Sequence, residues 1–127
     1  MDKVRVRPKK LFIVDDHPLI RRGMRQLFET EKSLTVCGEA STISESIRAI
    51  KTSSPNLVIV DISLPDGSGI DLIKRLLAVK PLLLILVSSM HDERLLAERC
   101  LRAGAKGYVN KQEAPEHLVE AVNAILM

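Results

Sequence analysis

The chain has 127 residues, enough for one compact domain with a real core and too few for two domains of ordinary size. Apolar residues make up 46% of it, which excludes a disordered chain, and no apolar run approaches the roughly 18 residues of a membrane-spanning helix. The net charge of +3 gathers at the start, where Lys3, Arg5, Arg7, Lys9 and Lys10 stand against Asp2 alone; with only Phe12, Phe28 and Tyr108 as aromatics, base stacking on nucleic acid has little to work with, and residues 1–8 read as a solvated basic tail.

From residue 9 onward, apolar stretches alternate with helical patterns. Leu11–Val14 is continuously apolar, as a strand buried on both faces should be. Pro18 suits the first position of a helix, and Ile20, Met24, Leu27 and Phe28 fall on one face of it. Leu34–Cys37 alternates apolar and polar residues, which suits an edge strand. Thr42 to Glu45 reads as a capping box that opens a helix carrying Ile47 and Ile50, stopped by Pro55. Leu57–Val60 is a second fully apolar strand. A helix follows Gly67-Ser68-Gly69, with Ile70, Ile73 and Leu77 on one stripe, and ends before Pro81. Leu83–Val87 is a third apolar strand. A fourth helix starts near Asp92, carries Leu96, Ala97, Cys100 and Leu101, and ends at Gly104. Gly107–Val109 is a short edge-like strand, and Pro115 opens a last helix with Leu118, Val122, Ile125 and Leu126.

Strict strand–helix alternation implies right-handed crossovers and a parallel sheet covered on both faces. The expected fold class is α/β: a single doubly wound five-stranded parallel sheet, order 2-1-3-4-5, flavodoxin-like, with both edge-like strands at its margins. Cys37 and Cys100 lack metal-ligand spacing and read as small core hydrophobes of a protein in a reducing cytoplasm.

Ligands of such sheets bind beyond the carboxyl ends of the strands, at the point where strand order reverses. At those ends stand Asp15-Asp16, then Asp61, Ser88-Ser89, and Asn110-Lys111. Three gathered carboxylates repel one another, and a hard divalent cation relieves that repulsion. Mg²⁺ suits one or two carboxylates with waters and phosphate oxygens. A carboxylate can then attack phosphorus and form an acyl phosphate, with a lysine charge and a serine hydroxyl meeting the phosphoryl oxygens.

Val14-Asp15-Asp16-His17-Pro18 with Arg22-Gly23-Met24, Asp61-Ile62-Ser63-Leu64-Pro65-Asp66-Gly67-Ser68-Gly69, Ser89-Met90-His91-Asp92-Glu93 and Gly104-Ala105-Lys106-Gly107-Tyr108-Val109-Asn110-Lys111 together carry a resemblance. Over residues 9–127 the chain resembles receiver domains of two-component response regulators, in the NarL/FixJ (LuxR-type) branch. The resemblance implies that Asp61 is the phosphoacceptor, and that Asp15 and Asp16 hold Mg²⁺ with Asp61 and the Ser63 backbone carbonyl. It implies that Lys111 contacts the phosphoryl group, that Ser89 is the switch hydroxyl, and that Tyr108 is the aromatic switch that turns inward on activation. His91 stands where family members tune dephosphorylation. Implied partners are a sensor histidine kinase or phosphotransfer protein, a second copy of the chain, and DNA only through an attached output domain absent from these 127 residues. No membrane partner is expected, and no enzyme activity beyond self-catalysed phosphoryl transfer to Asp61 and its hydrolysis.

Three departures bear on these roles. Gln112 follows Lys111 where many receivers have a proline in a cis bond. The hydroxyl is serine rather than threonine, and bulky Met90 follows it where many receivers have alanine, which would hinder the inward swing of Tyr108. Two rivals stand beside this reading. A stand-alone receiver would act by protein–protein contact alone. A Mg²⁺-dependent phosphohydrolase with an Asp nucleophile commonly carries a second Asp two positions on as general acid, but Ser63 holds that position here.

Overall fold

The computed structural model describes residues 7–91 and 93–127. Most of the basic tail and Asp92 lie outside the described residues. The elements run β1 (Lys9–Val14), α1 (Pro18–Glu29), β2 (Leu34–Ala40), α2 (Ile43–Ser53), β3 (Leu57–Val60), β4 (Ser63–Leu64), β5 (Gly67–Ser68), α3 (Gly69–Val79), β6 (Leu84–Ser89), α4 (Arg94–Ala103), β7 (Gly107–Asn110) and α5 (Pro115–Leu126). The main sheet is parallel with order β2-β1-β3-β6-β7, which is the 2-1-3-4-5 pattern once the small antiparallel β4–β5 hairpin is set aside.

Side chains alternate across the sheet with the period-2 rule of strands. Phe12, Val14, Val58, Val60, Ile85 and Val87 enter the core under α2, α3 and α4, where Ile50, Leu72, Ile73 and Cys100 meet them. Leu11, Ile13, Leu57, Ile59 and Leu86 enter the opposite core, closed by Met24 and Phe28 of α1 and by Leu118 and Val122 of α5. Both faces being covered explains the unbroken apolar runs Leu11–Val14, Leu57–Val60 and Leu84–Val87 in the three central strands.

Several element boundaries differ from the sequence reading. β2 runs on to Ala40, because pairing with β1 continues through Gly38, Glu39 and Ala40 after a register shift opposite Phe12. A Cβ at Gly38 would sit 2.7 Å from the Phe12 ring, so that shift needs glycine. β6 runs on to Ser89, because Ser88 and Ser89 pair with Val109 and Asn110 of β7. α4 begins at Arg94, and Leu101 is 48% exposed rather than part of its buried stripe. α4 ends at Gly104, whose φ of 118° is left-handed and favours glycine. Only half of the expected capping box forms: Thr42 Oγ1 accepts from the Glu45 amide at 3.1 Å, while the Glu45 carboxylate accepts from Ser41 instead. The β4–β5 hairpin was not anticipated.

Candidate functional site

Register assembles the site. Val14 pairs with Val60, and Val60 with Val87, so Asp15 and Asp61 leave neighbouring strands side by side. The Asp61 amide donates to the Val14 carbonyl at 2.9 Å, the Asp15 amide to Ala40 at 3.0 Å, and the Lys111 amide to Ser89 at 2.7 Å.

Four strand ends then turn in the same way, through a side-chain oxygen that accepts the amide two residues on. Asp15 Oδ1 accepts from His17 at 2.9 Å, Asp61 Oδ1 from Ser63 at 3.3 Å, Ser89 Oγ from His91 at 3.1 Å, and Asn110 Oδ1 from Gln112 at 2.8 Å. Asp, Ser and Asn make such turns readily, and Asp15, Asp61 and Ser89 are thereby held buried at the strand ends. Glycine completes the wall. A Cβ on Gly69 would lie 2.3 Å from the Asp61 carbonyl oxygen and 2.8 Å from Ile62 Cα, so α3 can start this close to Asp61 only with glycine there.

The carboxylates and the lysine meet as expected. Lys111 Nζ is 2.5 Å from Asp15 Oδ2 and 3.3 Å from Asp61 Oδ2, and all three side chains are at most 5% exposed. Among the described residues no peptide bond is cis, so Lys111 reaches both carboxylates across a trans bond to Gln112. Burial pushes the Asp61 carboxyl above its ordinary value; Lys111 opposes the rise and Asp15 adds to it. Asp16 Oδ1 and Asp61 Oδ2 are buried without any hydrogen bond. One oxygen from each of Asp15, Asp16 and Asp61 and one ring nitrogen of His17 lie within 4.8 Å of one another, a group that could hold a metal ion. Two orphaned acceptors among three acidic groups fit a hard cation better than any arrangement of protein donors present.

Ser89 and Tyr108, the two residues expected to act as a switch, lie to one side. Ser89 is fully buried and Ser88 2% exposed. Tyr108 is half-buried against the α2–α3–α4 core, and its hydroxyl donates to the His91 carbonyl. Ser89 and Tyr108 therefore both hold the backbone of His91, one at its amide and one at its carbonyl. Met90 is 53% exposed and directed to the surface.

Three contributors escaped the sequence reading. Arg21 Nη1 donates to the Asp15 carbonyl at 2.7 Å while its Nε holds Glu39 at 3.1 Å, bracing the first acidic loop. The ion pair with Arg25, opposed by partial burial and aided by Arg21, holds the Glu39 carboxyl below its ordinary value. Asp66, in the hairpin, accepts from the Ile43 amide at 2.8 Å and the Ser44 amide at 3.1 Å, so the loop after Asp61 caps α2. Those amides, Ile43 first, hold its carboxyl below the ordinary range. His17 is the third: it reads as a surface or capping residue, yet its ring enters the acidic group. The hint was its place directly after two acids and before a helix-starting proline.

The structure is a doubly wound α/β domain with an acidic, lysine-bridged crevice at its switch point; among the described residues no helix is long and apolar enough to cross a membrane. The chain belongs to the response regulator receiver domain family, whose pattern matches residues 11–123. It is therefore a receiver domain of the two-component type, and not an enzyme in the usual sense. It is 39% identical over 118 residues to the DNA-binding transcriptional activator DevR/DosR of Mycobacterium tuberculosis, covering 91% of this chain and 54% of that protein. It is 30% identical to the response regulator UvrY of Escherichia coli, covering 91% of this chain and 53% of that protein. The chain thus spans about half the length of the curated relatives it matches. Among solved structures, a LuxR-family two-component response regulator from Aurantimonas superposes with a TM-score of 0.90 at 34% identity, covering 94% of this chain and 85% of that one. The isolated receiver of RcsB from Salmonella enterica, solved with the phosphomimetic BeF3−, superposes at 0.88 with 30% identity, covering 94% and 88%.

Proposed function

We propose that this receiver accepts a phosphoryl group on Asp61, from a sensor histidine kinase or phosphotransfer protein, and passes that state to an output region outside this chain. The observation that carries the reading is Asp61 Oδ2: buried, without a hydrogen bond, and 3.3 Å from Lys111 Nζ. An Asp61 oxygen attacks phosphorus as the bond from phosphorus to the donor atom breaks, and the leaving group departs with its electron pair. Lys111 holds a phosphoryl oxygen by its charge and by hydrogen bonding. Ser89 offers its hydroxyl to a second oxygen, which draws it away from the His91 amide. Asp15 orients Lys111, and Arg21 orients Asp15.

Asp15, Asp16, Asp61 and the Ser63 carbonyl would hold Mg²⁺, which when bound neutralises the carboxylates and the phosphoryl oxygens together. The same residues favour hydrolysis of the acyl phosphate, making the domain a self-resetting switch. Residues 9–127 form the receiver and residues 1–8 a basic lead-in. The relatives named as transcriptional regulators support a DNA-binding output region; self-association and a cytoplasmic setting belong to the same proposal.

Acetyl phosphate with Mg²⁺ tests the reading. Intact-mass spectrometry should show one added phosphoryl group on the wild type and none on Asp61→Asn. Equal labelling of the two would remove Asp61 from this role.

A further inference from the structure

Away from the acidic crevice, a cavity of about 480 Å³ lies between α1 and α5, bordered by the end of β7. Its walls are mainly apolar: Ile20, Met24 and Leu27 of α1, Val109 of β7 and Leu118 of α5. Small-molecule sites commonly have roughly 300–1,000 Å³ and walls of this kind, with a few polar groups that fix orientation. Gly23 also lines the cavity, in the interior of α1, and a Cβ there would meet nothing within 4 Å. Glycine inside a helix is destabilising relative to alanine, so α1 keeps this space open at the expense of its own stability.

The second observation is Ser88. β6 is apolar through Val87, and Ser88 then falls on the same side of the strand as Leu86, the side covered by α1 and α5. Ser88 is 2% exposed, and its hydroxyl makes no hydrogen bond to any described residue. It is not among the sealed orphan oxygens, which belong to Asp16 and Asp61, so the little surface that the hydroxyl keeps faces the cavity that Ser88 lines. A buried hydroxyl without a partner is unfavourable, and a ligand oxygen in the cavity would satisfy it.

The charges of the lining narrow the ligand further. Lys111 and Glu113 are its charged residues, and both are already paired: Lys111 with Asp15 at 2.5 Å and Glu113 with His117 at 2.7 Å. No charge is left over for an ionic head group, and burying an unpaired one is strongly unfavourable.

We propose that this cavity is a binding site for an uncharged, compact, chiefly apolar molecule with one hydroxyl or carbonyl group, held by a hydrogen bond to the Ser88 hydroxyl. The site stands apart from phosphoryl acceptance at Asp61, although Lys111 borders both.

Nitrogen–proton correlation spectra of the protein test this with three probes: para-cresol, toluene as the same shape without a hydroxyl, and para-toluate as an anion. Para-cresol should give saturable shifts at the amides of Gly23, Ser88 and Val109, and should bind about three- to tenfold tighter than toluene. Para-toluate should not bind there. Ser88→Ala should melt no lower than the wild type and bring the ratio of para-cresol to toluene affinity close to unity. Gly23→Leu, whose Cβ meets no neighbour, should also melt no lower, and its side chain should occupy the space and remove the shifts. Absence of saturable shifts in the wild type overturns the site. Equal affinity for para-cresol and toluene, or a ratio that Ser88→Ala leaves unchanged, overturns the Ser88 anchor and the ligand class with it. Tighter binding of para-toluate than of para-cresol does the same. Shifts that survive Gly23→Leu put the probe elsewhere and overturn the cavity as its site.

Discussion

Lys111 and Asp15 are 96 positions apart in the chain, yet Lys111 Nζ sits 2.5 Å from Asp15 Oδ2. The contact closes the crevice across the sheet, from the end of β7 to the end of β1, over the top of β3. It leaves Asp61 beneath a lysine that is already committed elsewhere.

That commitment shapes the energetics of Asp61. Its folded-state pKa lies above the ordinary value of 3.8, chiefly through burial. For a raised pKa, the stabilising contribution is complete below 3.8, with the group protonated, and is lost as pH rises through the folded-state value. Ionisation of Asp61 is therefore unfavourable in the metal-free fold. Asp61→Asn should stabilise the protein in EDTA by about 1 kcal/mol, roughly 3–5 °C in Tm. The gain should shrink as pH is lowered toward 4. Saturating Mg²⁺ should reverse the ranking, because only the wild type gains full binding energy. Melting curves at pH 7 and pH 5, with EDTA and with Mg²⁺, check all three statements. A less stable variant in EDTA at pH 7 would mean that the Lys111 pair outweighs burial.

Asp16 differs from Asp15 in having no lysine. Its Oδ1 is buried without a hydrogen bond, and its side chain is 32% exposed. Asp16→Ala removes a hard-oxygen ligand and one of three mutually repelling charges. Mg²⁺ affinity should drop at least about tenfold, and labelling by acetyl phosphate should slow in step. The metal-free variant should melt no lower than the wild type. Calorimetric titration giving unchanged Mg²⁺ affinity would exclude Asp16 as a ligand.

The parts of this site that could be read from sequence are those that local pattern and strand register determine. Leu11–Val14 and Leu57–Val60 announce themselves by being apolar at every position, and pairing Val14 with Val60 brings the next residues, Asp15 and Asp61, together. Lys111 follows from the same logic at the last strand. Asp66 does not, because its role depends on meeting amides 23 and 22 positions earlier, and a hairpin of two-residue strands has too little periodicity to be seen. Arg21 looks like any polar residue of an amphipathic helix until the Asp15 carbonyl is placed beside it. The ends of β6 were missed for a related reason: Ser88 and Ser89 break the apolar run, but the sheet continues through them.

Two glycines should behave in opposite ways. Gly69→Ala forces a Cβ against the Asp61 carbonyl and Ile62 Cα, both backbone, so neighbours must shift. It should cost about 1–3 kcal/mol and slow phosphorylation of Asp61 although alanine adds no charge. Gly23 lies in the interior of α1 with nothing within 4 Å of its missing Cβ. Gly23→Ala should stabilise by about 0.5–1 kcal/mol through helix propensity. Thermal melts of the pair check the signs, and a stable Gly69→Ala with normal labelling would show that α3 can retreat freely.

Signal output should run through His91. Its amide is held by Ser89 Oγ and its carbonyl by the Tyr108 hydroxyl, so the His91 backbone is clamped on both sides while Asp61 is unmodified. A phosphoryl group at Asp61 accepts from the Ser89 hydroxyl and pulls Oγ toward itself, which lengthens the bond from the His91 amide and loosens the support that Tyr108 shares. The phosphoryl group can bias the loop only by its differential contact with the two arrangements, so the expected response is a modest, Mg²⁺-dependent strengthening of self-association rather than an all-or-none change. Ser89→Ala should still accept the phosphoryl group but lose most of that strengthening. Tyr108→Phe removes the bond to the His91 carbonyl; His91 should then loosen without phosphorylation, raising the basal association and narrowing the response. Sedimentation of wild type, Ser89→Ala and Tyr108→Phe, each with and without beryllofluoride, reads these outcomes. Identical responses in all three would show that the His91 clamp does not carry the signal, and no response in the wild type would mean that these 127 residues lack a self-associating surface.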